Sequence, residues 1–128
     1  MQPRPRCAEL GIDSDAIVSL AKAHGWAAHC ATSHEVFGVM DAAKVDYATV
    51  VMLIVSAKHT LYEALYPQVG RSIAYLDASI DDVQPSPGRF RARLKVSRSP
   101  AWVGGTMVTG QYEIAGDFIH TGITLAAT

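Results

Sequence analysis

Two carboxylates and a tyrosine stand at the start of the most apolar stretch of the chain, where Asp41, Asp46 and Tyr47 lead into the run Tyr47–Ala57. A carboxylate can attack a carbonyl carbon or take a proton from water, and the unpaired N–H groups that open a helix can polarise the carbonyl oxygen. If a helix starts here, the N–H groups of Val45 to Tyr47 are the donors and Asp41 is the candidate base or nucleophile just ahead of them. The residue type alone favours a second role, a loop aspartate that caps the next turn. Asp46 reads as an anion favoured by the helix dipole, and Tyr47 either as a pocket wall or as core. Lys44 places a cation next to Asp41 that either attracts an anionic group or points into solvent.

Other chemistry-bearing residues are scattered. His29 and His34 fall at odd spacing on a strand expected over Trp26–Phe37, His59 on the wet half of the apolar helix and His120 in the last strand. None of these pairs reads as metal-ligand spacing with a carboxylate partner, so no metal is assigned. Ser56 and His59 are i,i+3 neighbours, but no Gly-x-Ser-x-Gly elbow surrounds Ser56, and a structural role is the reading taken. Arg89, Arg91, Arg93 and Lys95 alternate along one strand face, which is either solvated or a contact for phosphates or an acidic partner. No glycine loop that would cradle a phosphate is recognised, and no cofactor is implied.

The elements that must position these groups follow from periodicity. Asp13, Ser14 and Asp15 offer N-caps for a short helix through Ala16, Ile17, Leu20 and Ala21, stopped near Gly25, after a leader at residues 1–12. A helix is predicted from about Asp46 to Tyr66, ended by Pro67, with Val50–Val55 buried all round and Lys58, His59 and Glu63 emerging into water. After Gly70 the chain reads as strands: SIAYLDASIDDV with Ala74, Leu76, Ala78 and Ile80 on one face, RFRARLKVSR with Phe90, Ala92, Leu94 and Val96 inward, and a hairpin around Ala115-Gly116.

At 128 residues, 49% apolar and 18% charged, the chain is read as one soluble domain large enough to build its own core. A formal net charge of −1 argues against nucleic acid as a partner, and the apolar run is about half a membrane span. Cys7 and Cys30 fit neither a zinc spacing nor a disulfide framework and suit a reducing, cytoplasmic compartment. The fold class is α+β, with an antiparallel sheet of about five strands wrapped around one long central helix and a short N-terminal helix beside it.

The residues Phe37–Leu65, FGVMDAAKVDYATVVMLIVSAKHTLYEAL, resemble the first-strand and central-helix signature of the 4-hydroxybenzoyl-CoA thioesterase family of hotdog folds. Phe37, Gly38, Asp41, Ala42 and Ala43 follow that pattern in order; Lys44 stands where the family has glycine, and Val39 where an acid often precedes the aspartate. The Pro-Ser-Pro-Gly turn before the basic strand and the recurrence of Gly105, Gly110 and Gly116 add to the likeness. The resemblance implies a homodimer or homotetramer that hydrolyses an acyl thioester of coenzyme A or of an acyl carrier protein, in fatty-acid or polyketide-type metabolism. By the same resemblance Asp41 attacks the carbonyl or activates water, while Lys44, Val45, Asp46, Tyr47, Arg91 and Arg93 contact substrate. The alternatives are a silent hotdog that binds acyl or polyketide-like ligands, and a dehydratase or cyclase of the same fold, against which the acid-free helix core VVMLIVSA argues.

Overall fold

The computed structural model describes residues 7–17, 19–69, 74–97 and 102–126. The chain runs through strand β1 (Cys7–Ala16), helices α1 (Leu20–Cys30), α2 (Ser33–Ala43) and α3 (Tyr47–Val69), a 3₁₀ turn at Tyr75–Asp77, and strands β2 (Ala78–Gln84), β3 (Arg89–Leu94), β4 (Met107–Ala115) and β5 (Phe118–Ala126). The five strands form one antiparallel sheet in the order β1-β5-β4-β3-β2. Among the described residues the class is therefore α+β, with three α-helices, one of them long.

Strand β3 shows how pattern becomes packing. Phe90, Ala92 and Leu94 are buried while Arg89, Arg91 and Arg93 are exposed, as a period of two requires when one face is covered. Phe90 sits opposite Gly110 on β4. A Cβ at Gly110 would collide with the Phe90 ring, so the missing side chain on one strand is the space for the aromatic on the next. At the β2–β3 turn Gly88 has φ of 85°, and a side chain there would run into the carbonyl oxygen of Tyr112.

Helix α3 lies against β1 and β5, and α2 covers β2. Val50, Met52, Leu53, Ile54, Ala57, Leu61, Ala64 and Leu65 share one core with the inward residues of the sheet. Val51 and Val55 face the other way, onto Ala23 of α1. Burial on both sides explains why the run has no polar interruption. Among the described residues α3 is the one helix apolar and long enough to cross a membrane, and 78% of that window is buried within the fold; it is a core helix.

Several expectations are corrected. The strand expected over Trp26–Phe37 is the end of α1 and the start of α2. A capping box makes that junction: Thr32 Oγ1 accepts the Glu35 N–H at 3.2 Å, and Glu35 Oε1 accepts the Thr32 N–H at 3.0 Å. Two orphan donors are satisfied at once, which outweighs the β-branched and aromatic character of the segment. The helix expected to start at Asp13–Asp15 starts after Ser19, whose hydroxyl accepts the Lys22 N–H. Asp13 and Asp15 belong to β1, as do residues 7–12 of the expected leader, while residues 1–6 lie outside those described. Helix α1 passes through Gly25, and α3 through Pro67 to Val69. A proline so near the helix end forfeits only one backbone bond close to where the ladder stops in any case. Ala74 and Leu76 precede β2 rather than lie on it, and Leu76 is exposed.

Lys58, expected in water, is completely buried. Its Nζ donates to Glu35 Oε1 at 3.0 Å and to the Cys30 carbonyl at 2.8 Å, and Glu35 Oε2 accepts the Ile80 N–H at 2.8 Å. One ion pair thus ties α3 to the end of α1, the start of α2 and strand β2. Burial pushes the ammonium below its usual range, with Glu35 pulling it back up.

Candidate functional site

Helix α3 begins with Asp46 as its cap: Asp46 Oδ1 accepts the Thr49 N–H at 2.9 Å, and the Val50 N–H bonds the Asp46 carbonyl at 2.9 Å. Hydrogen bonding from Thr49 holds the Asp46 carboxyl below the usual range. Tyr47, the first residue of the helix, is half-buried between the core and the α1 contact. Its hydroxyl lies 3.4 Å from His24 Nδ1.

Beside this helix start is an open groove of about 560 Å³, bordered by His24, Ala27, Ala28 and Ala31, by Thr32, Ser33, Val36 and Phe37, and by Tyr47. Its walls have a simple origin. Ala27, Ala28 and Ala31 leave a shallow face at the end of α1, and Val36 and Phe37 supply an apolar face on α2. Phe37 is 68% exposed, so the rim carries a large aromatic open to a ligand. Polar groups, the Tyr47 hydroxyl and the His24 imidazole, sit together at the α3 end.

Asp41, expected in a loop ahead of the central helix, is in the last turn of α2. Its side chain is 88% exposed and lies 3.6 Å from Lys44 Nζ. It follows Phe37 by four residues and so shares that face of the helix, one turn beyond the groove rim. Lys44 ends α2 in the left-handed region at φ 60°, where glycine would be unstrained. Val45 packs on the core. Arg91 stands on the outer face of β3, beside a separate depression it shares with Arg89, Asp82 and Gln84. Arg93 donates from Nε to Asp81 Oδ2 at 2.6 Å and borders a small cleft toward His34 and Gly38 of α2. The structure thus puts Tyr47 at the groove, with Asp46 next to it in the chain but not on the groove wall and Asp41 one turn beyond the rim residue Phe37, and leaves Arg91 apart from them.

A second constellation was not read from the sequence. Asp13 and Asp15, two apart on β1, share one face of the strand. Ser56 Oγ, fully buried on α3, donates to Asp13 Oδ2 at 2.7 Å and meets Thr121 Oγ1 at 2.8 Å. The other Asp13 oxygen, Oδ1, lies 3.2 Å from His59 Nδ1, and His59 Nε2 lies 3.6 Å from Glu63 Oε2. Burial, then the hydrogen bond and charge of Asp13, raise the Asp15 carboxyl to about 6. The signal that could have found half of this cluster is the i,i+4 spacing of His59 and Glu63. Its other half carries no such signal, because Asp13–Asp15 has the residue types of a helix cap.

No protein-family model matches the chain, and no curated protein matches it.

Proposed function

We propose that this chain is a hotdog-fold acyl thioesterase that lays the acyl part of a coenzyme A or carrier-protein thioester in the groove between α1 and α2, with the thioester at the start of α3. The observation that supports this reading is an apolar-walled groove ending at a helix amino terminus and a tyrosine hydroxyl. Apolar walls suit an acyl chain, and the helix N–H groups with the Tyr47 hydroxyl suit an oxyanion. Asp41 takes the proton of a water whose oxygen adds to the carbonyl carbon; the tetrahedral species then collapses, the C–S bond breaks, and the thiolate leaves. The cation of Lys44 and the basic face of β3, Arg91 and Arg93 included, suit the phosphates of coenzyme A or an acidic carrier. The outer strands β1 and β2 present edges that a second copy of the chain would cover, so the working unit is a homodimer or larger.

The test is hydrolysis of short, medium and aromatic acyl-CoA substrates. Asp41→Asn is expected to lower turnover by about 10²-fold or more with the fold intact, and Tyr47→Phe to lower it less. Equal rates for Asp41→Asn and the unaltered protein would remove Asp41 from the chemistry. The exposure of Asp41 and its pairing with Lys44 favour a second reading, a silent acyl-binding protein using the same groove. Saturable binding of a fluorescent fatty acyl probe without hydrolysis of any thioester would select it.

A further inference from the structure

We propose that Asp13, His59 and Glu63 form a binding site for a divalent transition-metal cation of the zinc type, separate from the groove. An imidazole with two carboxylates is the nitrogen and oxygen donor set that such ions take. Their candidate ligand atoms all lie within 4.8 Å of one another. Two donors, each about 2.0–2.2 Å from a tetrahedral ion, stand roughly 3.4 Å apart; Asp13 Oδ1 and His59 Nδ1 are separated by 3.2 Å. The first pair of ligands is therefore already spaced for chelation.

Secondary structure delivers the third. His59 and Glu63 are one turn apart on the same face of α3, and Asp13 reaches them from the strand on which that helix packs. Glu63 faces the Nε2 side of the ring, and its side chain is 48% exposed, so ligation at Nδ1 requires a change of its rotamer. His59 is also half-exposed, at 50%, which gives an ion a route in from solvent and room for a water as fourth ligand.

The support behind the ligands is built rather than incidental. Asp13 keeps only 11% of its side chain exposed, and the buried Ser56 hydroxyl holds its Oδ2, turning Oδ1 toward the imidazole. Ser56 is itself held by Thr121, whose hydroxyl also meets that of Thr60. Such a second layer fixes a ligating carboxylate and commonly contributes 10–100-fold in affinity. The electrostatics agree: Asp15 adds another carboxyl against Asp13, and among the described residues the one basic side chain paired with Asp13 or Glu63 is His59 itself.

The experiment uses the full chain stripped with a chelator and titrated with zinc chloride by calorimetry, followed by cobalt substitution and visible spectroscopy. One ion per chain is expected, with a cobalt band typical of nitrogen and oxygen donors and a raised thermal midpoint in excess zinc. His59→Ala and Glu63→Gln should each weaken binding at least tenfold, and Ser56→Ala by about 10–100-fold through the loosened Asp13. His29→Ala, exposed on α1, should bind as the unaltered protein does. Circular dichroism confirms that each variant is folded. No binding at high-micromolar zinc, or binding that His59→Ala leaves unchanged, would overturn the site and leave His59 as an imidazole hydrogen-bonded between two carboxylates. Acyl-thioester hydrolysis plays no part in this readout, so either proposal can fail alone.

Discussion

Residues 58 and 59 are neighbours on one helix, yet they belong to opposite kinds of polar centre. Lys58 is sealed: it and Glu35 are essentially unexposed, and each of the two has further backbone partners, Cys30 for the lysine and Thr32 and Ile80 for the glutamate. His59 is half-open and has carboxylates on both sides. A step of one residue turns the helix surface by about 100°, so Lys58 meets the end of α1 and the start of α2 while His59 looks toward β1. The sealed centre has its charges and hydrogen bonds met from within and is almost wholly out of solvent. The open centre has an excess of carboxylate and a route to water. Burial of charge alone therefore does not point to a ligand in this protein; unmet charge at an accessible place is what the proposed cation site rests on.

The largest effect should come from breaking the sealed centre. Lys58→Met keeps an unbranched side chain, one heavy atom shorter, but leaves the Glu35 carboxylate buried without its cation, and removing one partner of a buried pair costs about 3–5 kcal/mol. Urea denaturation should show this loss. The double variant Lys58→Met/Glu35→Leu should recover only part of it, because Glu35 also accepts the N–H groups of Thr32 and Ile80. A loss under about 1 kcal/mol for Lys58→Met would mean that the centre is open to solvent after all, and the contrast with His59 would collapse.

The two centres also differ in how far the sequence revealed them. Periodicity is local, so the dense apolar run of α3 and the alternation of β3 were legible from their own residues, as were Asp46 and Tyr47 at the helix start. Neither ion-paired centre is local: Glu35 lies 23 residues before Lys58 and Asp13 lies 43 before Ser56. Edge strand β1, CAELGIDSDA, alternates Ala8, Leu10 and Ile12 with Glu9, Gly11 and Asp13, but its half-buried positions Asp13 and Asp15 are acidic. Aspartate favours helix caps and is depleted in strands, so the local signal points to a cap. The capping box at Thr32–Glu35 was a local signal; the small and β-branched residues around it drew the reading toward a strand. A strand over that segment hides Glu35 as the partner of Lys58 and puts Asp41 in a loop, whereas the loop before α3 holds only residues 44–46 and Asp41 is in the last turn of α2.

An intermediate effect tests the support of the open centre. Ser56→Ala should cost about 1–3 kcal/mol, the range for leaving buried hydrogen-bonding groups unmet, because Asp13 Oδ2 and Thr121 Oγ1 both lose the buried hydroxyl. Asp46 provides a surface reference. Asp46→Ala should cost about 1 kcal/mol as a lost N-cap. Because the folded-state pKa of Asp46 lies below its ordinary value, its contribution is fully present above that ordinary value and is lost as the pH falls through the lowered one. The difference between unaltered protein and Asp46→Ala should therefore hold steady at neutral pH and shrink only in strong acid. A difference that shrank already near neutrality would contradict the capping role.

The smallest effect belongs to His59. In metal-free protein, His59→Ala removes two contacts of a half-exposed ring, and exposed pairs contribute about 0–1 kcal/mol. Salt sharpens the comparison with Lys58. At roughly physiological ionic strength the screening length is about 8 Å and shortens as salt rises, so any contribution of the open pair should fade in 1 M sodium chloride. The loss caused by Lys58→Met should persist there, since ions cannot reach the sealed pair. Denaturation curves of both variants at low and high salt measure this directly. If the Lys58 effect fades with salt and the His59 effect does not, the assignment of the two centres is inverted, and the search for a ligand belongs at Glu35 rather than at Asp13.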